Sequence, residues 1–322
     1  MTSAEASALW VTSAGQAELR SVDVLPREGD AEIRTLYSGI SRGTERLVFS
    51  GSVPESEHET MQAPFQEGAF SFPVKYGYAA VGELLNTERA GQCVFALYPH
   101  QSRFALPAEA AFTLPENVPA ERAILAANME TALNITWDAG IGAGDTVAVV
   151  GCGVVGALVG YLVARIPGTT VTLIDIDLRR QALAAELGCA FAVPEAAAGE
   201  VDVVIHTSAT NAGLSSAIEL AGLEASIVEA SWYGAKSTDV PLGGRFHQRR
   251  LKIISSQVGR IPAHRAARWT FARRLTKALG LLADPKLDAL IATESDFFDL
   301  ANDYGTILAN PSTLCHRVRY DA

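Results

Sequence analysis

Apolar positions in the first part of the chain come in short runs broken by Gly, Pro and polar turns: SALWV, AEIRTLY, VKYGYAAVGEL, CVFALY and SRFALP. Runs of this length, bounded by turn formers, predict strands. No long amphipathic helical pattern interrupts them. The region up to residue 122 therefore reads as mostly β. Residues 50–71 (SGSVPESEHETMQAPFQEGAFS) are polar and turn-rich. They predict a long surface loop, a type of segment that often carries function.

From Ala123 the texture changes. AILAANMETALNITWDAG predicts a helix, and then two periodicities alternate: TVAVVG, VVGALVGYLVARI, TVTLIDI, LRRQALAAELG, DVVIHTS, GLSSAIELAG, SIVEASW and KIISSQVG. Strand–helix alternation at this spacing means βαβ units, a parallel sheet and helices on both its faces. Residues 264–283 predict one long helix, and the tail, SDFFDLANDYGTILANPSTLCHRVRYDA, a further helix and a final strand. The pattern is a β-rich domain, a doubly wound domain and a return.

The uncharged stretch of residues 146–164 (TVAVVGCGVVGALVGYLVA) approaches the length of a membrane span. Its glycines fall where a β-branched run gives way to a helical one, so a buried parallel strand followed by a buried helix explains the hydropathy. Composition agrees: 322 residues, 48% hydrophobic against 19% charged, are enough for packed cores in two ordinary domains. A formal net charge of −10 argues against nucleic acid or an anionic membrane as partner. Four dispersed cysteines without a CxxC pair argue against a disulfide framework and a multi-thiolate zinc site. The first ten residues, MTSAEASALW, lack a basic stretch followed by an apolar core, so a cytoplasmic protein is expected.

The strongest chemical signal is Gly151-Cys152-Gly153-Val154-Val155-Gly156, after a hydrophobic strand and at the opening of a helix. In that context the first glycine permits a tight turn, the second lets backbone N–H groups approach a pyrophosphate, and the third lets helix and strand pack closely. The amides around Val154 and Val155, at the helix N-terminus, offer unpaired N–H groups to phosphates. Asp175 ends the next strand, TVTLID. A carboxylate there accepts from a ribose 2′-hydroxyl and repels a 2′-phosphate, which favours NAD(H) over NADP(H). Arg179 and Arg180 follow, either as a solvated helical turn or as guanidinium partners for a 2′-phosphate.

These pieces together, with VKYGYAAVGEL, CVFALYPHQSRFALPAEAAFTLPENV and VEASWYG, resemble the medium-chain dehydrogenase/reductase superfamily of alcohol dehydrogenases and quinone reductases, over essentially the whole chain. The resemblance implies an α/β fold: a GroES-like β-rich domain (residues 1–122 and 263–322) and a Rossmann dinucleotide-binding domain (residues 123–262). It also implies a dehydrogenase or reductase of the EC 1.1.1 type, commonly a homodimer. A shorter piece, SGISRGTE, is similar to bacteriochlorophyllide dehydrogenases.

Zinc members of the superfamily carry a cysteine ligand, a Gly-His-Glu ligand motif and a third ligand before the Rossmann strand. Ser41, Gly77-Tyr78-Ala79 and Ala126-Ala127-Asn128 occupy those positions, and only Cys93 remains of the structural zinc lobe. Hydroxyls are poor zinc ligands beside Cys or His, so no catalytic or structural zinc is expected. The resemblance rims the reacting spot with Ser41, Thr44, Glu45 and Tyr78, and with Asn128 and Glu130. Tyr78 is the proton-donor candidate or a structural filler. Arg42 either reaches the cofactor pyrophosphate or pairs with Glu45 on the surface. Thr131 and Thr207 are further cofactor neighbours. His100 and His247 are the remaining imidazoles, more often structural than catalytic.

From Arg245 to Lys277 ten basic residues stand without an acid. They form either a helix face paired with the acidic remainder or a rim that attracts an anionic small-molecule substrate. The leading expectation is a zinc-independent NAD(H)-dependent oxidoreductase acting on an alcohol/carbonyl pair or an activated alkene. The alternatives are a non-catalytic dinucleotide-binding or interaction protein and a tetrapyrrole side-chain dehydrogenase of the bacteriochlorophyllide type.

Overall fold

A computed structural model describes residues 4–320. The chain separates into two compact units, Met1–Ala127 with Leu279–Ala322, and Asn128–Ala278. The first three residues, part of the segment read for a leader, lie outside the described residues. No described helix is long and apolar enough to cross a membrane; the 146–164 stretch divides into the strand Thr146–Val150 and the helix Val154–Val163.

The first unit is built from two sheets, as its short apolar runs require. One has the order Gln16–Val24, Ala4–Ser13, Val74–Lys75, Glu67–Gly68. The other runs Ile291–Asp296, Cys315–Arg319, Asp30–Ser41, Ala80–Leu84, Cys93–Ala96, Phe112–Thr113, with Arg103–Pro107 also pairing on Asp30–Ser41. Alternate residues of these strands bury Ile33, Leu84, Val94, Phe104 and Leu106 in one core. The C-terminal strand Cys315–Arg319 pairs antiparallel with residues 37–41 of Asp30–Ser41, so the return completes the sheet. Residues 50–71 are not wholly a surface loop. They include the edge strand Glu67–Gly68, and Phe70 is buried against Tyr76 and His58.

The second unit has one six-stranded parallel sheet, order Ala190–Ala192, Thr170–Ile174, Thr146–Val150, Val201–His206, Ala221–Glu229, Lys252–Ser255. The chain starts at Thr146–Val150, winds outward to one side and then to the other. That reversal makes the carboxyl ends of Thr146–Val150 and Val201–His206 the topological switch point, where ligands of open α/β sheets bind.

Two expectations need correction. The helix predicted over 264–283 is two helices, Ala263–Ala266 and Phe271–Leu281. The Thr270 hydroxyl accepts the Arg273 N–H at 3.1 Å and starts the second one, while Trp269 packs on Trp137 at 4.6 Å between ring centroids. The second unit also extends past residue 262. Buried Arg274 donates to Glu130 Oε1 (3.0 Å), the Asn134 side chain and the Val258 carbonyl, which ties the start of Phe271–Leu281 to the helix Ala126–Ala139.

His316, buried in Cys315–Arg319, lies between the hydroxyls of Thr293 (2.7 Å) and Ser295 (2.8 Å) on the neighbouring strand. Burial, with the nearby His100, pushes its imidazole down to about 4. The unfolded chain therefore takes up this proton first, and the stability His316 contributes is present above about pH 6.5 and lost as the pH falls toward 4. Urea unfolding at pH 7 and pH 4.5 should show a smaller acid loss in His316→Gln than in the parent, by roughly 2 kcal/mol. Equal losses would contradict this assignment.

Candidate functional site

In the second unit the site begins where Thr146–Val150 ends. Gly151 turns the chain with φ +104°, and its N–H donates to Ile174 O at 2.8 Å. A side chain on Gly156 would sit 2.0 Å from the Gly151 carbonyl oxygen, so the helix Val154–Val163 approaches this closely only because residue 156 has none. At Gly153 a Cβ would meet no protein atom within 4 Å. The space over the helix N-terminus is open, and the amides of Val154 and Val155 stand at that end. This corner fits a dinucleotide pyrophosphate.

Two neighbours brace the corner. The Thr207 hydroxyl donates to the Gly151 carbonyl at 2.8 Å. Asp175 accepts the Cys152 N–H at 2.7 Å on one carboxylate oxygen and the Asp177 N–H at 2.9 Å on the other. Both sequence candidates therefore have a structural role that their motif did not reveal. Asp175 stays half-buried at the strand end, and a carboxylate has acceptor sites beyond these two. Arg179 forks onto Asp177 at 2.7 and 2.9 Å, and Arg180 lies 3.8 Å from the same carboxylate. Thr131 is half-buried on the helix Ala126–Ala139.

In the first unit the segment SGISRGTE carries the end of Asp30–Ser41 into the helix Arg42–Phe49. Its spacing turns Ser38, Ser41, Thr44 and Glu45 toward a polar cluster. The Tyr78 hydroxyl is hydrogen-bonded to Ser41 and Thr44. Burial pushes the Tyr78 phenol well above the ordinary tyrosine range, and the Glu45 carboxylate pushes it further, against those two hydrogen bonds. The ring itself remains partly exposed. Tyr78 is thus a neutral hydroxyl at physiological pH, a donor rather than a base.

Glu45 does not pair with Arg42 on the surface. It is fully buried and accepts the Ser41 N–H (2.6 Å), the Tyr304 hydroxyl (2.7 Å) and His100 Nε2 (3.0 Å). His100 Nδ1 is 2.7 Å from the Ser38 hydroxyl, which is 2.9 Å from Tyr320 Oη. Glu45 and His100 thereby hold Ser41, and Ser41 holds Tyr78. Arg42 lies with Nη1 3.5 Å from the Leu308 carbonyl.

Glu130 is bound to buried Arg274, Asn128 is buried, and His247 is exposed, all three in the second unit. Arg245, Arg249 and Arg250 pair with Glu200, Glu219 and Glu224, so much of the basic run is counter-charged. Sequence reasoning passed over Ser38, Tyr304 and Tyr320; no local pattern links residues up to 282 positions apart.

The residues that the resemblance matches to zinc ligands are a hydroxyl (Ser41) and a phenol (Tyr78) in the first unit and an amide (Asn128) in the second. Cys315, the register partner of Ser41, is buried, and its thiol is pushed up to about 12, so it is not a thiolate. Among the described residues no group of three or more His, Cys, Asp and Glu could hold a metal ion. Hydroxyl, phenol and amide groups do not fit zinc, which takes thiolate, imidazole and carboxylate ligands.

No family model matches the chain, and no curated protein matches it. Solved structures do. L-idonate 5-dehydrogenase of Escherichia coli aligns over 99% of both chains at TM-score 0.80 and 13% identity. A Sinorhizobium meliloti protein solved bound to NADP aligns over 98% of this chain and 99% of its own, at TM-score 0.77 and 20% identity. 2R,3R-butanediol dehydrogenase of Bacillus subtilis aligns over 98% and 100%, at TM-score 0.77 and 17% identity. With a β-rich unit completed by the C-terminal strand and a six-stranded doubly wound unit, the chain has the fold of the medium-chain dehydrogenase/reductase superfamily.

Proposed function

We propose that the protein is a zinc-independent oxidoreductase that uses NAD(H) and acts on the alcohol/carbonyl pair or activated alkene of a small molecule. The observation that carries this reading is the glycine corner. Gly156 lets the helix close on Gly151, Gly153 leaves the phosphate space open, and Asp175 stands beside it at the next strand end. Asp175 favours a free ribose 2′-hydroxyl over a 2′-phosphate, and the tie of Arg179 to Asp177 removes that guanidinium as a ready phosphate partner. A reduced nicotinamide supplies a hydride when bound. Tyr78, kept neutral by burial, donates a hydrogen bond and then a proton to the substrate oxygen, while Ser41 and Thr44 stabilise the oxygen it leaves behind. Glu45 fixes Ser41 through its backbone amide. A dead pocket would have no need of such a fully hydrogen-bonded cluster, which favours catalysis over a non-catalytic binding role. A dimer and an anionic substrate are in keeping with the six basic residues of the 245–277 run that lie outside any described ion pair, Lys252, Arg260, Arg265, Arg268, Arg273 and Lys277.

Calorimetry with the full chain should show binding of NADH, and weaker binding of NADPH. Gly153→Val, allowed by its extended backbone and surrounded by open space, should keep the fold and weaken NADH by at least tenfold, about 1.4 kcal/mol. Wild-type affinity in that variant would remove the glycine corner from the site. Tyr78→Phe should leave the NADH dissociation constant unchanged and lower kcat on a carbonyl or enone panel by roughly 10²-fold, with EDTA having no effect on either enzyme. Activity that EDTA abolishes and zinc restores would refute the metal-free reading.

A further inference from the structure

The second unit holds a polar trio that the mechanism above does not use. His206 ends the strand Val201–His206 and is fully buried. Its Nδ1 lies 2.6 Å from Glu229 Oε2, at the end of the neighbouring strand, and its Nε2 lies 2.6 Å from Ser208 Oγ. Glu229 is itself fixed: the Ser231 N–H donates to Oε1 at 2.8 Å and the Tyr233 hydroxyl to Oε2 at 3.1 Å. Burial would raise this carboxylate, yet the hydrogen bond and charge of His206 and the Ser231 contacts hold it below its ordinary range. His206 therefore sits against an ionised carboxylate, and its orientation is set from behind.

The front of the trio is Ser208, partly exposed on the turn into the helix Asn211–Leu220. That turn is shaped to bring the hydroxyl close. Ala209 takes φ +52°, a conformation L-residues seldom adopt, and its N–H donates to Ser231 Oγ at 3.1 Å. A Cβ on Gly213 would stand 2.1 Å from Ser208 Oγ and 2.7 Å from His206 Nε2, so residue 213 must be glycine for serine and histidine to meet. Strain and a space-making glycine around one exposed hydroxyl mark a built position.

Besides His206 Nε2, the hydroxyl lies 3.0 Å from Thr210 Oγ1 on the same turn. Ser208 packs on the glycine corner: a Cβ on Gly151 would lie 2.9 Å from the Ser208 backbone nitrogen. Thr146–Val150 has Thr170–Ile174, with Asp175 at its end, on one side and Val201–His206 on the other. A dinucleotide whose pyrophosphate lies over Gly151–Gly156, with its adenosine ribose at Asp175, must run its other half past the end of Val201–His206. We propose that Ser208 hydrogen-bonds the ribose of the nicotinamide half, and that His206 and Glu229 are positioning residues that hold this hydroxyl in place. The inference rests on the NAD(H) reading and adds to it a contact that sets how the second half of the cofactor is held. His206 Nε2, with its partner nitrogen on Glu229, fixes the direction of the serine O–H bond, so the ribose meets an oriented hydroxyl instead of a freely rotating one.

Three ligands separate this contact from the rest: NADH, ADP-ribose, which keeps the second ribose, and ADP, which lacks it. The full-length wild type should bind ADP-ribose more tightly than ADP in calorimetry. Ser208→Ala should weaken NADH and ADP-ribose by about five- to tenfold, the value of one hydrogen bond, and leave ADP unchanged. His206→Phe should reproduce that pattern, and His206→Gln, which can still hydrogen-bond the serine, should recover part of the loss. An equal change for all three ligands would mean that the trio only supports the fold of the corner, and no change would mean that Ser208 touches no ligand; either overturns the inference. Covalent labelling of Ser208 by a fluorophosphonate would overturn it too, because the same geometry would then belong to a nucleophilic serine. A wild type that binds none of the three would refute the dinucleotide reading itself, and the inference with it.

Discussion

The second unit depends on one close approach: the helix Val154–Val163 starts against the Gly151 carbonyl, where no side chain on residue 156 would fit. That contact fixes where the helix N-terminus points and thus where its unpaired amides collect. Thr207 holds the same carbonyl from the next strand, and Asp175 holds the Cys152 amide from the other side. The corner is therefore braced by the two strands that flank it. Loss of either brace would loosen the amides before it touched a ligand, so the residues that shape the corner and those that would grip a dinucleotide are the same few.

The first unit solves a different problem. A carboxylate as buried as Glu45 is costly unless every acceptor site is used. Here a backbone amide, an imidazole and a phenol meet it, and the imidazole is in turn met by the Ser38 hydroxyl, which Tyr320 meets from its other side. Oriented hydroxyls in a dry site can stabilise a developing oxyanion, the service a Lewis acid would otherwise give. The segment SGISRGTE thus acquires a physical account, since Ser38, Ser41, Thr44 and Glu45 all enter one hydrogen-bonded set.

Some of this could be read directly from the chain. The strands of the parallel sheet were legible because burial on both faces leaves continuous apolar runs, and the glycine corner was legible because close packing admits no other residue at 156. The strand Ile291–Asp296 was not: IATESD is half-exposed and polar, and it forms only because Cys315–Arg319 and its own partners line up beside it. The break between Ala263–Ala266 and Phe271–Leu281 was hidden because the basic run suits a helix throughout, and only the Trp269–Trp137 packing and the Thr270 cap divide it. Tyr78, Ser41, Thr44 and Glu45 were legible as a set, but the roles of His100, Tyr304 and Tyr320 were not, because long-range hydrogen bonds leave no periodic trace. His206 and Glu229 stand at the ends of apolar runs, a polar terminus to a buried strand being the signal that went unread.

The most direct measurement is a crystal structure of the protein grown with NADH, with anomalous data collected at the zinc edge from the same crystal. The account predicts pyrophosphate density over Gly151–Gly156, an adenosine ribose hydrogen-bonded to Asp175, and no anomalous peak beside Ser41 and Tyr78. A nucleotide bound elsewhere, or a metal peak at those two residues, would contradict it.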